Sequence, residues 1–251
     1  MTQLDNIWVD THCHLNLDAF DADCAAVIAA ARDANVGRIV IPGIDLMSSI
    51  QAKNISEHQD SVFFACGVHP NINIDVDETL IAELERLAHH GRCAAIGEIG
   101  LDTYWDDCPI ERQRANLRAQ LDLAESLDKP VILHCREAFD ELYPIAAEWS
   151  ARNPKNRGVF HAFDGSAEQA ELVTQANFYI GLGGAITFKN KPVRREMAQS
   201  VPLEKIVLET DAPYLTPTPY RGKRNLPSYI PLIGKFLAEL RGESVETVLK
   251  T

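Results

Sequence analysis

Residues 129–162 read KPVILHCREAFDELYPIAAEWSARNPKNRGVFHA, and this stretch decides the fold. Val131–Leu133 and Gly158–Phe160 are short apolar runs rich in β-formers, and the segment between them, Ala138–Arg152, carries apolar residues at helical spacing. The unit is therefore strand, helix, strand, and each strand runs directly into a histidine, His134 and His161. Working outward, further strands are expected at Ile7–Asp10, Arg38–Ile41, Val62–Cys66, Ala94–Ile96, Phe178–Gly181 and Ile206–Leu208. Helices are expected at Asp21–Ala34, Ser48–His58, Asp77–His89, Ile110–Leu127, Ala167–Gln175, Pro192–Ser200 and Ser228–Leu240. Eight such units in one uninterrupted series favour an α/β architecture closed as a (β/α)8 TIM barrel over an open doubly wound sheet. The whole chain, 1–251, is expected to be a single barrel domain.

Composition limits what such a barrel can do. The 251 residues carry 24 Lys+Arg and 36 Asp+Glu, a net charge of -12, so the mean field repels polyanions and any nucleic acid must be met by local cations. The opening, MTQLDNIWVD, has no basic leader, and the longest apolar run, Cys24 to Ala31, is too short to span a bilayer. A cytoplasmic protein with no membrane partner is expected. The six cysteines lack any C-x-x-C spacing and read as reduced thiols. Gly181-Leu-Gly-Gly184 does not have the dinucleotide spacing and no phosphate-binding P-loop motif is present, so no nucleotide cofactor is expected.

In barrels of this kind chemistry gathers at the carboxyl ends of the strands. Here those ends read His12-Cys13-His14, His69, Glu98, His134, His161 and Asp211. Residues two apart on a strand share a face, so His12 and His14 point together while Cys13 points away. Several imidazoles and carboxylates in one mouth are costly to bury unless a cation organises them. Ordinary core hydrogen bonding is the competing account of each one singly. A single open four-coordinate ion needs three protein ligands, so the six candidates His12, His14, Glu98, His134, His161 and Asp211 imply two divalent ions, about 3.5–4 Å apart in hydrolytic pairs. Zinc, manganese and magnesium all suit a mixed nitrogen and oxygen set.

Asp10-Thr-His-Cys-His14, Gly67-Val-His-Pro70, Gly97-Glu-Ile-Gly-Leu-Asp102, His134-Cys-Arg136, His161-Ala-Phe-Asp-Gly165, Glu209-Thr-Asp-Ala-Pro-Tyr-Leu215 and Arg221-Gly-Lys-Arg-Asn225 follow one another in order. The chain resembles, over nearly its whole length, the TatD-type metal-dependent deoxyribonucleases of the amidohydrolase superfamily. The resemblance implies that His12, His14 and Asp211 hold one ion, that His134 and His161 hold the other, and that Glu98 bridges them. It implies hydrolysis of DNA phosphodiesters, often from the 3′ end, with DNA as substrate. The pattern departs from the family at Leu226, where a glutamate is usual, at Tyr220 for a histidine, and at Ala162 and Asp164 for cysteine and serine. Relatives usually end in a further helix beyond the last residues here, Lys250-Thr251, so a truncated form is expected.

Asp211 is the candidate to orient the attacking water and take its proton, or else serves only as a ligand. His69 is expected either to donate to the scissile phosphate and leaving oxygen or to brace the loop at Pro70. Glu209 and Asp10, each two residues from a ligand, are expected to hold a ligating imidazole from behind. Arg136, two residues after His134, is placed to grip a phosphate, or to pair with Glu137 or Asp140. Two basic runs are the other places where phosphate could be met, Lys189, Lys191, Arg194 and Arg195 after strand 7 and Arg221, Lys223 and Arg224 after strand 8; the second is the expected contact, whereas Arg194 and Arg195 read as helix salt-bridge partners. Tyr104 and Trp105 read as loop packing rather than as a stacking surface. The alternatives to a nuclease are a superfamily hydrolase of a small amide, ester or lactone and a protein that binds metal or nucleic acid without turnover.

Overall fold

The computed structural model describes residues 6–251. Eight strands, β1 (Trp8–Asp10), β2 (Val36–Pro42), β3 (Val62–Cys66), β4 (Cys93–Asp102), β5 (Val131–Arg136), β6 (Gly158–Phe160), β7 (Phe178–Leu182) and β8 (Ile206–Leu208), lie in one sheet in sequence order. Every neighbouring pair is parallel. The ends of the sheet meet just past the strands. Thr11 N donates to Leu208 O at 3.1 Å, Asp211 N to His12 O at 2.8 Å and His14 N to Ala212 O at 2.8 Å. This nearly closed barrel with helices outside it is the (β/α)8 TIM barrel.

The helices are α1 (Cys24–Asp33), α2 (Leu46–His58), α3 (Glu78–Ala88), α4 (Ile110–Ser126), α5 (Phe139–Arg152), α6 (Ala167–Gln175), α7 (Pro192–Ser200), α8 (Ile230–Arg241) and α9 (Val245–Lys250). Local chemistry sets several of their starts. The side chains of Asp45, Asp77 and Ser166 accept the otherwise unpaired N–H groups of Ser48, Leu80 and Gln169. Pro192 opens α7, where a missing N–H costs nothing, and Gly242 ends α8 at φ +69°.

Alternation along the strands splits the core in two. Val40, Ala65, Ala95, Ile132 and Val159 pack inside the barrel, and the larger Phe64, Ile96, Leu133, Phe160 and Phe178 pack outward under the helices. Two strands run further than periodicity alone suggests. β4 continues six residues past Ile96 to Asp102, and β5 three past Leu133 to Arg136, because Gly100 pairs with His134 and Asp102 with Arg136. A Cβ at position 100 would lie 2.0 Å from the carbonyl oxygen of His134, so glycine is what lets the two strands close there. That extension carries Glu98 and Asp102 into the mouth.

Candidate metal centre

Beyond β1 the chain keeps its alternation. Cys13 is buried in the outer core, and His12 and His14 turn into the barrel mouth with their Nε2 atoms 3.0 Å apart. At the far end of the ladder Asp211 takes a left-handed turn, φ +56°, which brings its Oδ1 to 3.8 Å from His12 Nε2 and 3.6 Å from His14 Nε2. A non-glycine residue in that region is strained by about 1–3 kcal/mol and is held there by its surroundings. Asp10 supplies part of that hold. Its Oδ1 accepts the N–H of Thr210 at 2.9 Å and of His12 at 3.3 Å, and its Oδ2 accepts the Thr210 hydroxyl at 2.6 Å. Its bonds run to backbone and hydroxyl rather than to an imidazole.

Glu98 stands at the centre, and its two oxygens face different partners. Oε2 lies 3.3 Å from His12 Nε2 and 3.5 Å from His14 Nε2. Oε1 lies 2.8 Å from His161 Nε2, 2.9 Å from His134 Nδ1 and 3.4 Å from His69 Nε2. Three sets of side chains come close enough to hold a divalent ion: His12 with His14 and Asp211, His69 with Glu98 and His134, and His12 with His161 and Glu209. His69 thus stands inside the second group, its ring 4.3 Å from that of His134, rather than apart from the ligands as a lone donor.

The donor chemistry fits divalent cations. His12 and His14 are buried, their facing nitrogens are too close for both to carry protons, and their Nδ1 atoms have no hydrogen-bond partner. Burial pushes the His12 imidazole down to about 4 and, with the neighbouring His12 charge, that of His14 down to about 3. Burial also lowers His161. These rings are neutral at pH 7, with lone pairs available to a metal. Burial would raise Glu98, but His161, His12 and His69 in their protonated forms outweigh it and hold its carboxyl well below the usual range. Burial and the Glu98 charge together push Asp211 well above it.

Glu209 lies behind the rings. Its Oε1 accepts the N–H of Ala162 at 2.5 Å and is 3.8 Å from His161 Nδ1, and its Oε2 has no partner. Ligand atoms of Glu209, His161 and His12 all fall within 4.8 Å of one another, so this one carboxylate backs rings from both sides of the centre. Space for it exists because residue 181 is glycine; a Cβ there would meet Glu209 Oε2 at 2.4 Å.

Asp102 belongs to the site as well, though only the family motif drew attention to it. It is four residues after Glu98 on β4, and alternation through Gly100 puts both on one face. Its Oδ2 lies 3.0 Å from His134 Nε2 and accepts from Asn71 Nδ2 at 3.1 Å. Burial lowers His134, but hydrogen bonds to Asp102 and Glu98 outweigh it and raise the imidazole to about 9.

The site opens into a cavity of about 830 Å³ whose wall includes Glu98, His134, Arg136, Trp105, Lys191 and Tyr214. Arg136 pairs with neither Glu137 nor Asp140; its guanidinium lies over the Tyr104 ring, 3.8 Å from the centroid. The loop after β8 reaches the cavity through Asp211, Tyr214 and Leu215, but its cations do not. Arg221 lies over Phe188 at 4.2 Å and Lys223 over Tyr220 at 5.7 Å. Arg224 is taken up by Asp23, with contacts of 2.6 and 3.0 Å, and by the carbonyl of Ala19. Beside Arg136, the cations at the wall are Lys191, just ahead of α7, and Arg194, on α7. Lys191 and Arg194 both pair with Asp164, so the salt-bridge reading of Arg194 describes its partner and the cavity wall its position. Arg195 donates to the carbonyls of Ile186, Thr187 and Phe188.

Comparison with known proteins gives the same outline. The model of the family described as TatD related DNase matches residues 9–251. The chain is 38% identical over 239 residues to the uncharacterized metal-dependent hydrolase YabD of Bacillus subtilis, across 95% of this chain and 93% of that protein. It is 34% identical over 247 residues to the 3'-5' ssDNA/RNA exonuclease TatD of Pantoea ananatis, across 96% and 94%. Among solved structures, YjjV, a TatD homolog from Escherichia coli, superposes with a TM-score of 0.90 at 32% identity, across 97% of this chain and 93% of that one. Among the described residues no helix is long and apolar enough to cross a membrane.

Proposed function

This chain belongs to the TatD-related DNase family of metal-dependent hydrolases, and from that premise we propose that it is a deoxyribonuclease that hydrolyses DNA phosphodiesters from the 3′ end. Residues 1–251 are read as one hydrolase barrel domain. The observation that carries the reading is Glu98, whose Oε2 faces His12 and His14 while its Oε1 faces His134 and His161. A carboxylate so divided could serve two cations at once. His12, His14 and Asp211 would hold one, and His134 and His161, with His69 alongside, the other. Two divalent ions, zinc, manganese or magnesium, supply Lewis acidity to the phosphoryl oxygens and lower the pKa of an attacking water when bound.

The chain's own residues do the rest. Asp211 accepts the proton of the attacking water; its position beside His12 and His14 suits it to that task. Arg136 presents a planar fork of N–H donors to the phosphate, and among the described residues its guanidinium makes no hydrogen bond. Asp102 holds the back of His134, and Glu209 lies behind His161 and His12 without a hydrogen bond to either ring. Asp10 fixes the turn that carries His12 to Asp211.

Elemental analysis with a product ladder from 3′- and 5′-labelled oligonucleotides tests the proposal. Two ions per chain and stepwise shortening from the 3′ end are expected. Turnover of small amides, esters or lactones with no cleavage of any oligonucleotide would replace it.

A further inference from the structure

The loop after β4 carries two aromatic side chains that the chemistry above leaves unused. Tyr104 is 48% exposed and Trp105 49%, and neither belongs to the core. Packing alone does not account for two large rings left half in water at the mouth of a catalytic cavity. Their backbone is nevertheless held in place. Asp102 Oδ1 accepts the N–H of Tyr104 at 2.9 Å and of Trp105 at 3.3 Å. The other oxygen of the same carboxylate faces the His134 ring. The rings meet edge to face, 4.8 Å apart at 89°, and the Arg136 guanidinium centre lies 3.8 Å from the Tyr104 centroid and 5.6 Å from that of Trp105. Trp105, Asp102, His134 and Arg136 border the same cavity.

We propose that Trp105, set by Tyr104, Arg136 and Asp102, is a shelf for one unpaired nucleobase beside the phosphate under attack. The assignment rests on the nuclease reading and deepens it. A phosphate on the free edge of Arg136 places its nucleoside within reach of the indole face, and the guanidinium plane beside that face adds a cationic surface to the stack. Bases in a duplex are stacked on one another and offer no face to such a shelf. Every base has a π-face, so the shelf is indifferent to sequence and sensitive to the loss of a base. Single strands are therefore the substrate it favours, at any sequence.

The metal-loaded protein and a deoxythymidine hexamer with hydrolysis-resistant phosphorothioate linkages provide the test. Trp8 and Trp149 are buried, so quenching of tryptophan emission on binding reports Trp105. The hexamer is expected to quench the emission. Trp105→Leu is expected to weaken its binding roughly 5- to 150-fold, the range for one base on one aromatic ring. Trp105→Phe should retain most of the affinity. A hexamer with an abasic residue at the 3′ end should bind the wild type and Trp105→Leu equally. Unchanged affinity in Trp105→Leu, or equal binding of normal and abasic hexamers by the wild type, overturns the shelf while cleavage of ordinary oligonucleotides still stands. A wild type that neither binds nor cleaves any oligonucleotide removes the nuclease reading and the shelf together.

Discussion

Replacing Glu98 by glutamine keeps the shape of the side chain and removes the charge that the two metal-ligating groups share. Both oxygens are engaged, Oε1 within 2.9 Å of His134 and His161 and Oε2 within 3.5 Å of His12 and His14. Half a carboxylate charge acting on a doubly charged ion equals one unit-charge pair. At about 4 Å and an effective dielectric of about 20, such a pair is worth roughly 4 kcal/mol. Glu98 is only 2% exposed, so its desolvation falls on folding of the chain and leaves metal affinity to feel the whole electrostatic loss. Glu98→Gln should therefore weaken each ion by about 10³-fold. The assay is calorimetric titration of the chelator-treated protein with Mn²⁺ or Zn²⁺, followed by elemental analysis after dialysis. The wild type should retain two ions and the variant at most one, with oligonucleotide hydrolysis lost in parallel. A circular dichroism melt establishes that the variant is folded. Two ions bound by Glu98→Gln at wild-type affinity would refute a bridging role.

Metal loading should also release protons. In the metal-free chain His134 titrates at about 9, so at pH 7 it carries a proton that a cation must displace. Affinity should then rise about tenfold per pH unit per proton up to that value, and titration in buffers of different ionisation enthalpy should count at least one proton released at pH 7. No release would disprove the assignment of His134 as a ligand. Gly181→Ala should push Glu209 Oε2 from its place, since the added Cβ would fall 2.4 Å from it; a stability loss of about 1–3 kcal/mol and a lower metal content are expected, and a wild-type melting temperature with two ions retained would contradict this. Arg136→Ala should weaken oligonucleotide binding and flatten its salt dependence by about 0.7 to 0.9 for each phosphate no longer neutralised, whereas Arg224→Ala, which breaks a half-exposed pair with Asp23, should change stability little and leave the salt slope unchanged. The reverse pattern would return phosphate recognition to the loop after β8.

What could be read from the chain alone follows from short-range geometry. Eight apolar runs alternating with helical periods specify a βα series, and period two places His12 with His14 and carries Glu98 through Gly100 to Asp102. The family pattern adds the ligand set on the same local grounds. Cations in loops escape this reasoning, because a long charged side chain goes to whichever partner the fold brings near. Arg224 meets Asp23, some two hundred residues away in sequence, and Arg136 meets Tyr104, across neighbouring strand ends. Both pairings exist only once the barrel has formed.

The same limit separates the members of the site from its division of labour. Sequence determines that six ligand-type residues sit at strand ends, since alternation and strand length are properties of neighbours in the chain. Only the tertiary structure decides that one oxygen of Glu98 turns to His12 and the other to His161, that Glu209 backs both of those rings, and that Trp105 is left half in water. Those are relations between strands, fixed when the barrel closes between Asp211 and His12, and no local period contains them.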